Sequence, residues 1–281
     1  MLCWMHSAAS SVTNVGLCHS VQHTAHRLAG FVGVPHEEIS YWVAGINHQA
    51  WILRLDRDGE DLYPRLRKAM ADATIYRRDA VRFEMMKHFG YFVTESSGHN
   101  SEYVPYFRKN RAMIRRFRLH RHRSAKRLKE MEAQRRRVRA WLYDDGAAAA
   151  PELKASDEYA AGIIEARVTN RPFRFNGSVP NTGLITNLPE GCSVEVPCIA
   201  DAQGIHPCFV GLLPPQCAAI NRSNIAVQEL AVRAILDRDR EAAFHACALD
   251  PLTAAVATLD EIRAMFEELW KAEKHLLSYF D

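Results

Sequence analysis

Residues 41–55, YWVAGINHQAWILRL, hold two runs of β-branched and aromatic residues separated by a break around Gly45 and Asn47. Side chains of that kind pack well on a pleated surface, and Gly and Asn favour chain reversal. The stretch therefore predicts two strands and places His48 at a strand edge. Upstream, residues 20–30 (SVQHTAHRLAG) have helical spacing, with Val21, Ala25 and Leu28 on one face and Gly30 as the stop. Pro35 ahead of His36-Glu37-Glu38-Ile39 predicts a second short helical piece. Downstream, residues 58–90 are helical by composition, and Gly90-Tyr91-Phe92-Val93-Thr94-Glu95 reads as a short strand ending in polar residues. A strand end leading into a polar loop is a natural place for chemistry.

Farther along, residues 108–142 contain no Gly or Pro and have high helix propensity, which predicts one or two exposed helices closed by the linker DDGAAAAPE at 144–152. Residues 157–170 are again helical in pattern. Residues 178–208 are short β-branched runs punctuated by Pro, Gly and Asn, a strand-rich layer. The tail from 218 to 280 returns to helix, interrupted at Asp250-Pro251.

The whole chain has 281 residues, 48% of them apolar and 25% charged, enough to bury a full core. It has no apolar run of about 18 residues, and its start lacks the form of a secretory signal. A cytoplasmic protein with no membrane partner is expected. Seven widely scattered cysteines, an odd number with no CxxC pair, point to reduced thiols rather than a disulfide framework. The net charge of +3 hides an asymmetry, because residues 108–139 carry 15 Lys and Arg against two acids, leaving 21 bases against 31 acids elsewhere. Aromatic residues in that basic arm are confined to Phe117 and Trp141 near its ends. Base stacking is poorly served by such a surface, so a solvated helical face is expected rather than a nucleic-acid site.

Four stretches, taken in order, carry a resemblance: VGLCHSVQ (15–22), AGINHQAW (44–51), GYFVTESSGHNSEYVPYF (90–107) and NTGLITNLPEGCSVEVPC (181–198). DGEDLYP at 58–64 and DPLTAAV at 250–256 add to it. In these the chain resembles the family 4 glycoside hydrolases, nearest to the melibiase-type alpha-galactosidases. The resemblance implies an α+β fold like the dehydrogenase-like C-terminal part of that family, an antiparallel or mixed sheet flanked by helices, with residues 1–281 as one such domain and 108–142 as its basic arm. It also implies an unusual reaction that uses bound NAD and a divalent transition metal, usually manganese (Mn2+). Hydride passes from sugar C3 to the nicotinamide, a base takes the C2 proton, the glycosidic oxygen departs, water adds and hydride returns.

Carried onto this sequence, the resemblance makes Cys18 and His48 the metal ligands and His19 the proton donor to the leaving oxygen. The position of the C2 base falls on Ser96 or Ser97, and serine is a poor base. Glu95, Tyr103 and His99 are therefore the candidates nearby, the first two ranking equal for proton abstraction and His99 serving as a possible sugar contact with Ser97. Asn47 suits a sugar hydroxyl or the metal surroundings, since a carboxamide both donates and accepts. Asn181, Gly183 and Asn187 read as turn-forming residues. The glycine-rich phosphate turn of the family occurs nowhere in these residues. The expectation is a chain with no NAD-binding residues of its own, inactive by itself, truncated or completed by an N-terminal chain, taking an alpha-galactoside-like sugar and forming a homo-oligomer. The rival class is a non-catalytic metal- or sugar-binding module.

Overall fold

A computed structural model describes residues 2–9, 11–119, 124–143 and 158–280. In chain order the elements are α1 (Leu2–Ala8), β1 (Gly16–Leu17), α2 (Ser20–Val32), β2 (Ser40–Ile46), β3 (Gln49–Arg57), β4 (Glu60–Asp61), α3 (Tyr63–Ala69), α4 (Ala73–Arg78), α5 (Ala80–Phe89), β5 (Phe92–Val93) and α6 (Ser97–Asn100). They continue with α7 (Arg111–Arg116), α8 (Ser124–Tyr143), α9 (Tyr159–Thr169), β6 (Phe173–Pro180), β7 (Ser193–Asp201), β8 (Gly204–Pro207), α10 (Pro215–Asp237), α11 (Arg240–Leu249), α12 (Pro251–Val256) and α13 (Leu259–Ala272). A short 3-10 turn, His36–Glu38, follows Pro35 as the sequence predicts.

The strands form one sheet in the order β1-β6-β7-β2-β3-β4, with β5 on β3 and β8 on β7, and every pair is antiparallel. This is the expected α+β arrangement. The β2–β3 hairpin closes on the pair Ile46↔Gln49, so His48 stands in the tight turn itself rather than on a strand edge. Two strands from late in the chain, β6 and β7, insert between β1 and β2. Cys18, just after β1, and the His48 turn thus approach each other over β6 and β7.

Apolar periodicity accounts for the helices. Val21, Ala25, Leu28 and Ala29 of α2 are buried in one cluster with Val43, Ile52, Leu55, Leu66, Phe83 and Phe92. Burying each such Leu, Ile or Phe stabilises the fold by about 1.5–3 kcal/mol. The helix runs past Gly30 and ends at Gly33, which adopts φ 68° and ψ 37°. Gly30 keeps helical geometry because Phe31 and Val34 still have core to reach; the left-handed cap forms only where the apolar face is exhausted. A second cluster packs β6 and β7 against α9 and α10 through Phe175, Val179, Val194, Val196, Tyr159 and Ile225. The basic stretch forms α7 and α8, and the residues of α8 whose side chains are described are mostly exposed, the apolar Leu128, Met131, Val138 and Leu142 among them. The linker at 144–152 lies outside the described residues. Among the described residues no helix is long and apolar enough to cross a membrane.

A buried ion network ties the helical layer to the sheet. Asp79, with a fully buried side chain, accepts from Arg82 at 2.8 and 2.5 Å, from Arg27 at 2.9 Å and from Ser97 at 3.0 Å. Arg82, 2% exposed, also donates to Thr24 on α2 and to the Val93 carbonyl, and lies over the Phe92 ring. One ion pair therefore links α2, α5, β5 and the start of α6. Burial alone would raise the Asp79 carboxyl, but the Arg82 and Arg27 guanidiniums hold it below the usual carboxylate range. Removing one partner strands a buried charge, at a cost of about 3–5 kcal/mol. Asp79→Ala, which leaves the buried Arg82 guanidinium without a carboxylate, is expected to lower the unfolding free energy by about that amount, read from urea denaturation followed by circular dichroism.

A candidate metal centre

The geometry is built by three short segments. β1 pairs with β6 at Gly16↔Ser178 and Leu17↔Gly177, and this delivers Cys18 to the start of α2. The hairpin turn delivers His48. The β5–α6 connection delivers Glu95, whose backbone sits at φ 71°, in the left-handed region. A non-Gly residue held there costs about 1 kcal/mol or more and persists only where the surroundings enforce it, a pattern common at functional sites. The flanking chain supplies the enforcement. Thr94 N–H donates to the Ala50 carbonyl, Thr94 Oγ1 accepts from Ala50 N–H, and Ser96 caps α6 through His99 N–H.

The outcome is that one ligand atom each from Cys18, His48 and Glu95 lies within 4.8 Å of the other two. Bonds to a transition metal of about 2.0–2.3 Å let donors up to roughly 4.5 Å apart share one ion, with small adjustments. A thiolate, an imidazole and a carboxylate form a mixed donor set that suits manganese, iron, cobalt or zinc better than magnesium. The residues present fit a divalent transition metal.

The electrostatics prepare the same site. Burial pushes the Cys18 thiol up, but hydrogen bonding from His48, Ser20 and Asn47 outweighs it and brings the thiol down to about 6. His48 is raised, first by its hydrogen bond to Cys18, with burial opposing and the negative charges of Cys18, Glu95 and Glu195 adding. Each of the two thus favours the charged form of the other. The other buried thiols behave oppositely, since burial raises both Cys198 and Cys217 to about 12.

Around this centre stand the remaining predicted residues. The Tyr103 hydroxyl lies 3.2 Å from His48 Nδ1, and burial, reinforced by the charges of Glu95, Glu102 and Cys18, raises its pKa. His99 Nδ1 is 3.1 Å from Glu95 Oε1 and 3.1 Å from Ser96 Oγ, and its ring lies 6.3 Å from that of His48. His19 faces outward from the N-terminus of α2, with Nε2 2.8 Å from Glu158 Oε2. Asn47 is half-buried in the turn beside Cys18. Ser97 is directed elsewhere, its hydroxyl committed to Asp79. Asn181 is wholly occupied with its own turn, donating to the Ile185, Leu188 and Pro189 carbonyls and accepting from Ile185 N–H. Asn187 similarly pins Leu213 through both ends of its carboxamide.

Sequence reasoning missed two features. One is the buried amide set behind Tyr103, where Asn224 donates to the Tyr103 carbonyl and to Gln49 Oε1, while Asn221 donates to the Gln49 carbonyl and accepts from Trp51. The other is Glu195, 1% exposed on β7. Its only sequence signal is a lone acid inside the apolar run Val194–Cys198, which reads as a buried strand.

Comparison with known proteins agrees with this architecture. Residues 43–253 match the family 4 glycosyl hydrolase C-terminal domain, and the chain belongs to that family. It is 42% identical over 272 residues to an alpha-galactosidase of Bacillus subtilis, a match covering 94% of this chain and 61% of that protein. It is 31% identical to an alpha-galactosidase of Rhizobium meliloti, over 99% of this chain and 58% of the relative. The chain thus spans about three fifths of the length of these relatives. A Thermotoga maritima 6-phospho-beta glucosidase, solved with manganese, NAD+ and glucose-6-phosphate, shares the fold with a TM-score of 0.73 at 18% identity, over 98% of this chain and 63% of that one.

The depressed thiol makes a direct test available. Iodoacetamide should label Cys18 of the metal-free protein with a pH midpoint near 6, because only the thiolate attacks. Mass-spectrometric mapping should show Cys198 and Cys217 unlabelled over the same range, and added Co2+ should protect Cys18. A midpoint near the ordinary thiol value would break the Cys18–His48 pairing.

Proposed function

We propose that this chain is the metal- and sugar-binding part of an NAD- and manganese-dependent alpha-galactosidase-type glycosidase working in the cytoplasm. The observation that carries the reading is the convergence of Cys18, His48 and Glu95 donor atoms within 4.8 Å of one another, in a member of a glycosidase family. The 42% identity to a named alpha-galactosidase supports the sugar class.

In this reading Cys18, His48 and Glu95 hold the metal, and few protein ligands leave it open to sugar hydroxyls. When bound, the metal supplies Lewis acidity at the sugar oxygens next to the carbon that loses a proton. The chain's own residues do the rest. Tyr103, its hydroxyl 3.2 Å from His48 Nδ1, is our candidate to accept the C2 proton as the phenolate, after its hydroxyl proton has left to solvent, and the side-chain amide of Asn224 fixes the segment that carries it through the Tyr103 carbonyl. Glu95, drawn into the donor set, is better used as a ligand than as that base. His19, next in sequence to Cys18 and an imidazole paired with the Glu158 carboxylate, is our candidate to donate a proton to the departing oxygen. His99, 3.1 Å from Glu95, and Asn47, beside Cys18, have hydrogen-bonding capacity for sugar hydroxyls.

For the redox half of the reaction we assign none of the described residues to a dinucleotide. Turnover is therefore proposed to require a dinucleotide-binding portion, in a homo-oligomer or from a further chain. Release of nitrophenol from an aryl alpha-galactoside, with NAD, Mn2+ and a thiol reductant, tests this. The chain alone is expected to be inactive, and addition of a dinucleotide-binding domain of the Bacillus subtilis type is expected to restore turnover. Cys18→Ser and His48→Ala should each reduce the restored rate by at least about 100-fold, the loss typical of removing a transition-state contact. Activity of the chain alone would refute the need for a second portion. Mn2+ binding without any rescue would favour a non-catalytic sugar- or metal-binding module.

A further inference from the structure

The floor of the metal centre holds a group that the proposed chemistry does not use. Across the sheet, one register row runs Gly16↔Ser178, Ser178↔Glu195, Glu195↔Gly45 and Gly45↔Ala50. It leads from the strand that delivers Cys18 to the hairpin that delivers His48. Four of its five residues are Gly, Ser or Ala, and the one long side chain, at the centre, is Glu195. The smallness of its neighbours is enforced at one of them: a Cβ on Gly45 would come within 2.7 Å of the Ala50 Cα and the Gln49 carbonyl.

Glu195 is 1% exposed, and neither carboxyl oxygen has a partner at hydrogen-bonding geometry. Burial, with the Cys18 charge adding, pushes the Glu195 carboxyl up to about 8, so the neutral form is favoured until something polar or cationic comes to it. The nearest groups are few. Asn47 Nδ2 is likewise buried and without a partner at hydrogen-bonding geometry, and its carboxamide lies against Glu195. The other near groups are Cys18, His48 and Glu95, the three donors of the proposed metal site. Two buried groups of complementary chemistry, a carboxyl and an amide, therefore lie together beside the proposed ligands.

We propose that Glu195 is a positioning carboxyl of the metal centre: from the middle of the small-residue row it holds the Asn47 carboxamide and, ionised once a divalent cation is bound, balances that cation's charge and so raises the affinity of the Cys18, His48 and Glu95 donors for it. The inference rests on the metal site of the preceding section. It assigns Glu195 no bond to the ion and no contact with the sugar. A stability role alone would be served better by an apolar side chain of similar volume, since burying an unpaired carboxyl in a strand interior destabilises.

Co2+ titration of the metal-free protein separates the possibilities, because cobalt–thiolate absorption reports occupancy independently of turnover. Wild type should show the thiolate band at saturation. Glu195→Gln keeps shape and removes the charge; it should weaken Co2+ binding by about 10–100-fold, the range for partners that orient metal ligands, with the metal-free melting temperature unchanged or raised. Restoring the carboxylate one methylene shorter, in Glu195→Asp, should recover part of that affinity. Asn47→Ala, in a half-buried turn, should weaken binding too and combine non-additively with Glu195→Gln; if the latter fails to fold, Asn47→Ala alone decides. Co2+ binding within twofold of wild type in the folded variant overturns the role of Glu195 while leaving the metal site standing. No thiolate band in wild type overturns the site and this inference together.

Discussion

The pairing of the Cys18 thiolate with the His48 imidazole organises the rest of the molecule's chemistry. It makes a metal-binding thiol at neutral pH out of a half-buried cysteine whose burial would otherwise suppress ionisation. That pairing is possible only because β6 and β7 separate β1 from β2 in the sheet. The cysteine leaves one side of this two-strand spacer and the histidine stands in a turn on the other, so the ligands close over the strands between them. The strand that lies beneath them then decides what else the centre feels, and on β7 that is Glu195.

Rigidity at the centre is purchased at its back rather than in the ligands themselves. The Asp79–Arg82 pair joins α2, which begins just after Cys18, to the β5–α6 connection, which holds Glu95 and His99. The carboxamides of Asn221 and Asn224 perform the same service for the hairpin and for Tyr103. Both sets are fully buried and hydrogen-bonded, the condition under which polar groups in a core specify a single arrangement instead of merely destabilising it. Metal ligands on short strands and turns need such support, because a donor displaced by even an ångström no longer shares an ion with its partners.

Much of the local structure was legible along the chain. The β2–β3 hairpin, the face of α2, the exposed basic helix α8 and the break at Asp250 follow from periodicity and from the residues that favour turns, whereas α7 packs Met113, Ile114 and its C-terminal cap Phe117 into the core. The end of α2 was misplaced by three residues, at Gly30 instead of Gly33, because a glycine caps a helix only when the apolar face has no more core to meet. The candidate site was legible in its parts through ordered motifs. Glu95 entered as one candidate base among three, and its place beside Cys18 and His48 depends on a left-handed backbone at φ 71° that no periodicity announces. Ser97 shows the converse: its motif suggested a sugar contact, yet the fold engages its hydroxyl with a buried carboxylate.

The sequence by itself determined which segments are helical or extended, where the charge lies and which family's motifs the chain bears, because propensity, hydrophobic period and motif order act between near neighbours. Only the tertiary structure decided which donors converge, how far the Cys18 thiol ionises and why a carboxyl sits unpaired on β7. Those depend on strand order and burial, and distances between residues 18, 48, 95 and 195 come into being only when the sheet assembles around them.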